Sequence, residues 1–345
     1  MSGEHPLSAQ HDRAPGRSIV SSNDLTGVNK LSAIIPCKNE RRWIAVCVDA
    51  LLKQRVNDLS LEVIVVDNGS TDGTIEILES YGPKIGLFIL PDATISELRN
   101  FGAERAAGDW LAFIDSDVEV DDDWCAGVIR ALRRMREAGY DLARLVTGST
   151  YSIPESPKWI ERVWFQQLLA RDETMTSYIN GGNLVVSKRF FDEIGGFAPD
   201  YYTGEDVKFC RDAVAEGGKV IKAAEIRAVH HGYPKTIFEF FRRERWHGLG
   251  MKQYLFKPWQ LKDLMLALYF VCITVLFLIA VVASGYRLVT VGGWLALMVL
   301  PIFVLAFSRT GKRPQVLFPL TYLFFVYGWA RVFSLVDIML GRRAR

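Results

Sequence analysis

The sequence predicts an α/β protein: a mostly parallel sheet with helices on both faces, followed by C-terminal membrane helices. Three observations carry this reading. Short apolar runs rich in β-branched residues alternate with stretches of helical spacing over residues 31–114. A polar cluster follows three of those runs directly. The last part of the chain holds three long stretches without a charge.

Taken in order, Leu31–Pro36 is a short apolar run ending in proline, read as a strand, and Glu40–Lys53 has helical spacing. Glu62–Val66 is β-branched and bounded by Asp-Asn-Gly, the pattern of a buried strand running into a turn. Thr74–Ser80 reads as a helix, Leu87–Leu90 as a strand, and Ser96–Ala107 as a helix stopped by Gly108. Trp110–Ile114 is a fourth strand. Alternation of this kind places ligands beyond the carboxyl ends of the strands. The polar clusters fall there: Cys37–Glu40 after the first strand, Asp67–Ser70 after the second, and Asp115–Asp117 after the fourth.

Leu264–Ser284 and Leu288–Ser308 are each 21 residues without a charge, and Pro314–Ala330 is 17, continuing past Arg331 to Leu340. A helix needs about 20 apolar residues to cross a bilayer, so the first two pass and the third is marginal. Three such runs in succession, with almost no polar face, have no soluble core to enter. Trp259, Tyr269, Tyr286, Trp294, Tyr322 and Trp329 sit near their ends, as at headgroup level. Arg309, Lys312 and Arg313 place the loop after the second stretch in the cytosol. Arg342, Arg343 and Arg345 ask for the same side, which a third span would deny them. Either the third stretch is re-entrant or interfacial, or the charge rule is broken.

The chain of 345 residues allows two domains. With 50% hydrophobic and 23% charged residues it is neither disordered nor a coiled coil, and a net charge of +2 gives no reason to expect a nucleic acid partner. Residues 258–345 carry nine Lys/Arg against two Asp/Glu, so a basic, apolar tail follows a slightly acidic front part. Five scattered cysteines without a C-x-x-C read as free thiols in a reducing compartment. Residues 1–29 are polar, lack an apolar core stretch and read as a disordered leader, not a signal peptide. The expected organisation is a leader over 1–29, a catalytic domain over 30–234, an amphipathic interfacial segment over 235–258 and a membrane region over 259–345. A chain cut near Pro258 is expected to be soluble or peripherally bound.

Asp115 and Asp117 leave a strand one residue apart and can both reach one hard cation, Mn²⁺ or Mg²⁺, shared with substrate phosphates. Asp121–Asp123, just before Trp124, read as a helix cap. Asp67 could accept from a base N–H or a ribose hydroxyl, while Asn68–Gly73 read as turn chemistry. Arg99 either holds a diphosphate or is a surface arginine. Glu205 and Asp206 suit a helix start and a catalytic role alike. His230 or His231, ending an apolar run, could be a third metal ligand, with a weak preference for His230. Thr236–Tyr254 mixes aromatics with Arg242, Arg243, Arg245 and Lys252, which suits a membrane surface or an anionic acceptor.

The set Ile-Pro-Cys-Lys-Asn-Glu (35–40), Val-Val-Asp-Asn-Gly-Ser-Thr-Asp-Gly-Thr (65–74), Arg-Asn-x-Gly (99–102) and Phe-Ile-Asp-Ser-Asp (113–117), in that order, resembles family 2 glycosyltransferases of the GT-A fold. Asn180-Gly-Gly-Asn183, Ile194-Gly-Gly-Phe197 and Gly204-Glu-Asp206 agree, and the resemblance covers about Leu31 to Gly250. It implies inverting transfer of a sugar from a nucleotide sugar to a hydroxyl. It implies a donor site including Pro36, Glu40, Asp67, Arg99 and Asp115, with Asp67 on the base and Arg99 near the nucleotide. It further implies a divalent cation on Asp115 and Asp117, with His230 as the candidate third ligand, and Asp206 as general base. Glu205 beside it is expected to matter less, as a helix-start carboxylate worth about 1 kcal/mol. Processive polysaccharide synthases of the family carry Gln-x-x-Arg-Trp where this chain has Arg242, Arg245 and Trp246. That departure, with few spans, argues against processivity.

The expected protein is a metal-dependent enzyme of the cell (inner) membrane, with its catalytic domain cytosolic and a lipid-linked or glycan acceptor, Arg242, Arg245 and Trp246 lying on the acceptor or membrane side. The alternatives are a polyprenyl-phosphate sugar synthase and a non-catalytic sugar-nucleotide-binding subunit.

Overall fold

The computed structural model describes residues 29–341 except 57–58, 150, 166–175, 177, 202, 254–261, 285–287 and 311–313. Residues 1–28 of the expected leader, the aromatic residues Trp259 and Tyr286, and the basic residues Lys312, Arg313, Arg342, Arg343 and Arg345 lie outside the described residues.

The front part begins β1 (Lys30–Cys37), α1 (Ile44–Leu52), β2 (Ser60–Asp67), α2 (Thr74–Glu79), β3 (Gly86–Ile89), α3 (Ile95–Arg105), β4 (Trp110–Ile114). It continues β5 (Val118–Val120), α4 (Trp124–Glu137), β6 (Leu145–Gly148), β7 (Asn183–Ser187), α5 (Lys188–Ile194), α6 (Glu205–Ala215), β8 (Lys219–Lys222), β9 (Ala228–His230) and α7 (Ile237–His247). The seven-stranded sheet has the order β3-β2-β1-β4-β7-β6-β8. Pairing is parallel throughout except at β7, which runs against both β4 and β6.

Alternating side chains of the strands feed two cores. Ala33, Ile35, Val63 and Val65 pack with α1 and α4 on one face. Ile34, Ile64, Val66 and Phe113 pack with α3, α5 and α6 on the other. Helices thus cover both faces, as the pattern predicts. Helix α3 starts on a capping box in which Thr94 and Glu97 satisfy each other's backbone N–H groups. The expected cap before Trp124 is met in position only: Asp123 makes no side-chain cap bond and pairs with Arg130 and Arg227 instead.

A second sheet pairs β5 with β9 in antiparallel register, Val118 opposite His230. It fastens the segment after β4 to the segment before α7. Beyond these lie α8 (Lys262–Ser284), α9 (Leu288–Thr310) and α10 (Pro314–Met339), three helices long and apolar enough to cross a membrane.

Candidate active site

The carboxyl ends of β1, β2 and β4 carry the predicted clusters. The β5–β9 pairing brings His230 to Asp115 and Asp117, and one ligand atom from each lies within 4.8 Å of the others. His230 Nε2 is 3.6 Å from Asp117 Oδ1. Its Nδ1 is buried without a hydrogen-bond partner, and its ring stacks on Tyr233 at 4.1 Å. Burial, followed by the charge of Arg243, pushes its pKa down to about 3, so the imidazole is neutral. His231 is turned away, its Nε2 2.7 Å from Glu119 and its ring stacked on Trp43. Burial raises the Asp117 pKa. Glu40 is pushed up to about 8 by burial and by the carboxylates of Asp117, Asp115 and Asp72.

This donor set fits a hard divalent cation. Two carboxylates and a neutral imidazole converge, and the local excess of negative charge is felt at Glu40. Glycines keep the approach open: a Cβ at Gly182 would overlap the Asp115 carboxylate, and one at Gly232 that of Asp117.

Arg99 is not a surface arginine. It is 2% exposed; its Nη1 donates to Glu205 Oε1 at 2.6 Å and its Nη2 to Asp115 Oδ1 at 2.7 Å. Its Nε is buried without a partner. With both terminal nitrogens on carboxylates, it ties the metal-side cluster to the start of α6 and does not present a free fork to a diphosphate. Glu205 is likewise 6% exposed and committed to Arg99. It is a partner in a buried ion pair, more than the minor helix-start carboxylate expected.

Asp206 is the free carboxylate of that pair. Helix α6 begins at Glu205 after Gly204, which has φ 79°. Asp206 Oδ2 accepts from Gly181 N–H at 3.2 Å and Oδ1 from Val207 N–H at 2.8 Å. Burial and the neighbouring Glu205 push its pKa up to about 7, against the opposing pull of Arg99.

Asp67 is fully buried, and its two oxygens accept from the Ser70 N–H at 2.7 Å and hydroxyl at 2.6 Å. The carboxylate expected to meet a base anchors the turn after β2. Pro36 is buried in β1 opposite Val66 and positions the loop after it.

A cleft of about 990 Å³ opens from Asp117 and Glu40 toward α7. Arg242, Arg243, Arg245 and Trp246 line it, together with Lys38 and Arg42. Arg245 is held by Asp337 of α10 through bonds of 2.6 and 2.7 Å, whereas Arg242 is exposed. Arg243 lies over Phe165 and Tyr233, 5.0 and 5.2 Å from the ring centres. Sequence reading placed Arg243 only in a basic helix and did not single out Tyr151 or Tyr233. Tyr151 donates to Asn180 Oδ1 at 2.8 Å and meets the His230 ring edge-on. Tyr233, three residues after His230, was the available signal; Tyr151, 79 residues before it, gave none.

Comparisons with known proteins agree with this architecture. Residues 32–195 match the family described as Glycosyl transferase family 2. Among curated relatives, the glycosyltransferase AglE of Haloferax volcanii is 28% identical over 210 residues, covering 59% of this chain and 67% of that protein. The uncharacterized glycosyltransferase YibD of Escherichia coli is 37% identical over 99 residues, 28% of each chain. Among solved structures, the mannosyltransferase PcManGT of Pyrobaculum calidifontis, in complex with GDP-Man and Mn²⁺, superposes with a TM-score of 0.56 at 15% identity. That match takes in 92% of this chain and 88% of that one, and shows a shared fold.

Proposed function

Since residues 32–195 match the Glycosyl transferase family 2 model, we propose that the chain transfers a sugar from a nucleotide sugar, with inversion, to a hydroxyl of a lipid-linked acceptor at a membrane surface. One observation carries the reading. The Asp115–Asp117–His230 cluster and the Glu205–Asp206 pair are joined through buried Arg99, beside a cleft that runs on to the basic, aromatic face of α7.

Asp115, Asp117 and His230 would hold Mn²⁺ or Mg²⁺, which supplies Lewis-acid stabilisation of charge on a departing diphosphate. The chain's own groups do the rest. Asp206 takes the proton of the acceptor hydroxyl as its oxygen bonds to the anomeric carbon and the bond to the diphosphate breaks on the opposite side. A carboxylate poised near neutral pH is a stronger proton acceptor than an ordinary aspartate and is still ionised in half or more of the molecules at pH 7 and above. Arg99 keeps Asp115 and Glu205 in place. Asp67 and Pro36 shape the loops on the nucleotide side. Arg242, Arg243 and Lys38 suit a phosphate-bearing carrier, and Trp246 an interfacial one. The bilayer is the inner membrane, with the catalytic domain on the cytosolic side where nucleotide sugars are made.

The basic cleft also favours a second reading, in which the carrier's phosphate is itself the acceptor. Asp206→Asn separates the two. The introduced amide has the same shape, keeps an oxygen for one of the Gly181 and Val207 N–H groups, and could not take a proton. With a hydroxyl acceptor, kcat is expected to fall about 10²–10⁴-fold while the Kd for the nucleotide sugar barely moves. A fall below tenfold, measured with donor binding by calorimetry, would support the phosphate acceptor and refute the role given to Asp206.

A further inference from the structure

Helices α8 and α9 form an antiparallel hairpin, with Phe277 against Trp294 at 5.2 Å and the Tyr269 hydroxyl donating to the Leu297 carbonyl. Near its turn Val282, Leu288 and Val289 are 87%, 88% and 84% exposed, with nothing among the described residues covering them.

Helix α10 behaves differently. Of its apolar stretch 44% is buried, against 11% in each of the other two. What it meets along its length decides its orientation. Tyr322 stacks on Trp159 at 6.5 Å, and Phe324 and Tyr327 pack on Trp164 at 5.3 and 5.6 Å. Farther on, Arg331 pairs with Glu244 at 3.1 Å, Ser334 donates to the Arg245 carbonyl at 2.7 Å, and Asp337 holds the Arg245 guanidinium. From Tyr322 to Asp337 a helix advances roughly 22 Å at about 1.5 Å per residue. A crossing helix would carry Asp337 most of the way through a hydrocarbon core of about 30 Å. Instead both ends touch the catalytic domain. Arg331 also donates to Asp263 at 3.2 Å, on the first turn of α8, where the chain leaves that domain.

The side chains of α10 are arranged accordingly. Arg331, Ser334 and Asp337, at helical spacing, are buried against the domain. On the opposite side Phe318, Val336 and Leu340 are exposed by 64%, 43% and 58% along one apolar line, flanked by the half-exposed Tyr322 and Phe333 where they meet Trp159 and Phe241. The hairpin leaves from this outer side, where Phe270 packs on Trp329 at 5.8 Å and Phe303 on Phe318 at 6.2 Å.

We infer that α10 does not cross the bilayer. It lies in the plane of the membrane as a strap between the catalytic domain and the α8–α9 hairpin, and its exposed stripe is a lipid-binding surface seated at the boundary between headgroups and acyl chains. Two spans then remain among the described residues. Both basic runs, at 309–313 and 342–345, stay on the side of the catalytic domain, which removes the conflict in the charge rule. Asp337 of the strap and Trp246 of α7 both line the cleft, so an acceptor held in the bilayer enters it sideways at headgroup depth.

This inference rests on the membrane reading, and the test keeps the two apart. The full chain is fused after Arg345 to green fluorescent protein or to alkaline phosphatase, and a Leu288→Cys variant, on a Cys272→Ser background, is treated with a membrane-impermeant maleimide in intact bacterial cells. Expected are a membrane-held chain, a fluorescent protein fusion, an inactive phosphatase fusion and a labelled Leu288→Cys. An active phosphatase and a dark fluorescent protein, with the chain still in the membrane, would overturn the inference alone. A chain recovered in the soluble fraction, or a Leu288→Cys that stays unlabelled until the cells are opened, would overturn the membrane reading and the strap with it.

Discussion

Arg99→Met isolates the bridge at the centre of the site. The guanidinium is 2% exposed and bonded at 2.6 and 2.7 Å to two carboxylates. Methionine fills much of its volume but leaves Glu205, 6% exposed, as an uncompensated charge. Breaking a buried pair by removing one partner costs about 3–5 kcal/mol. Asp115, with its side chain 25% exposed, can recover water and should add little. For a domain of this size the loss corresponds to a fall in Tm of roughly 10 °C. The assay is thermal unfolding of the detergent-solubilised full chain. The double variant Arg99→Met/Glu205→Met removes the stranded charge with the guanidinium and is expected to regain most of that loss. Activity should not return with stability, because Asp115 has lost the group that orients it. If the single variant melted within about 2 °C of the parent, where the buried-pair cost demands several times that, or if the double variant melted lower than the single, the buried bridge would not be what holds these loops together.

The metal set is tested by Asp117→Ala and Gly232→Ala. Mn²⁺ at 100 times its Kd should stabilise the parent by about 2.7 kcal/mol and neither variant, read as a thermal shift without substrate; a full shift in Asp117→Ala would remove Asp117 from the site. The raised pKa of Asp206, about 7, means the base is protonated below that pH. Turnover should therefore rise about tenfold per pH unit up to roughly pH 7 and level off above it, and a flat profile between pH 5 and 7 would count against Asp206 as base. A chain cut near Pro258 is expected to aggregate without detergent, contrary to what composition suggested. It would strip Glu244 and Arg245 of Arg331 and Asp337 and uncover Ile160 and Phe240, so a monodisperse species on size exclusion would contradict the docking of α10.

The parts of the molecule that were legible in the sequence are those governed by local pattern. Strands β1 to β4 are short apolar runs closed by turn formers, and their carboxyl ends hold the polar clusters, so pattern and spacing alone place Asp115 and Asp117. What escaped depends on pairing between distant segments. Strands β5 and β9 are three residues each, too short for a period to show, yet their register selects His230 over its neighbour. Arg99 looked equally suited to the surface or to a ligand. Only the packing of α3 beside α6 shows that two carboxylates, 16 and 106 residues away in sequence, claim it. The third apolar stretch is the most instructive case. Hydropathy averages its residues and gives a marginal span, and the flanking basic residues left a re-entrant or interfacial course open. Arg331, Ser334 and Asp337 recur every three residues on one side, and ionisable groups inside an apolar helix seek a protein partner by default. Their partners, Glu244 and Arg245, sit in a segment that composition alone had already marked as interfacial. Two adjacent anomalies in the sequence, a basic aromatic helix without enough acids and an apolar helix with charges on one face, are each other's explanation.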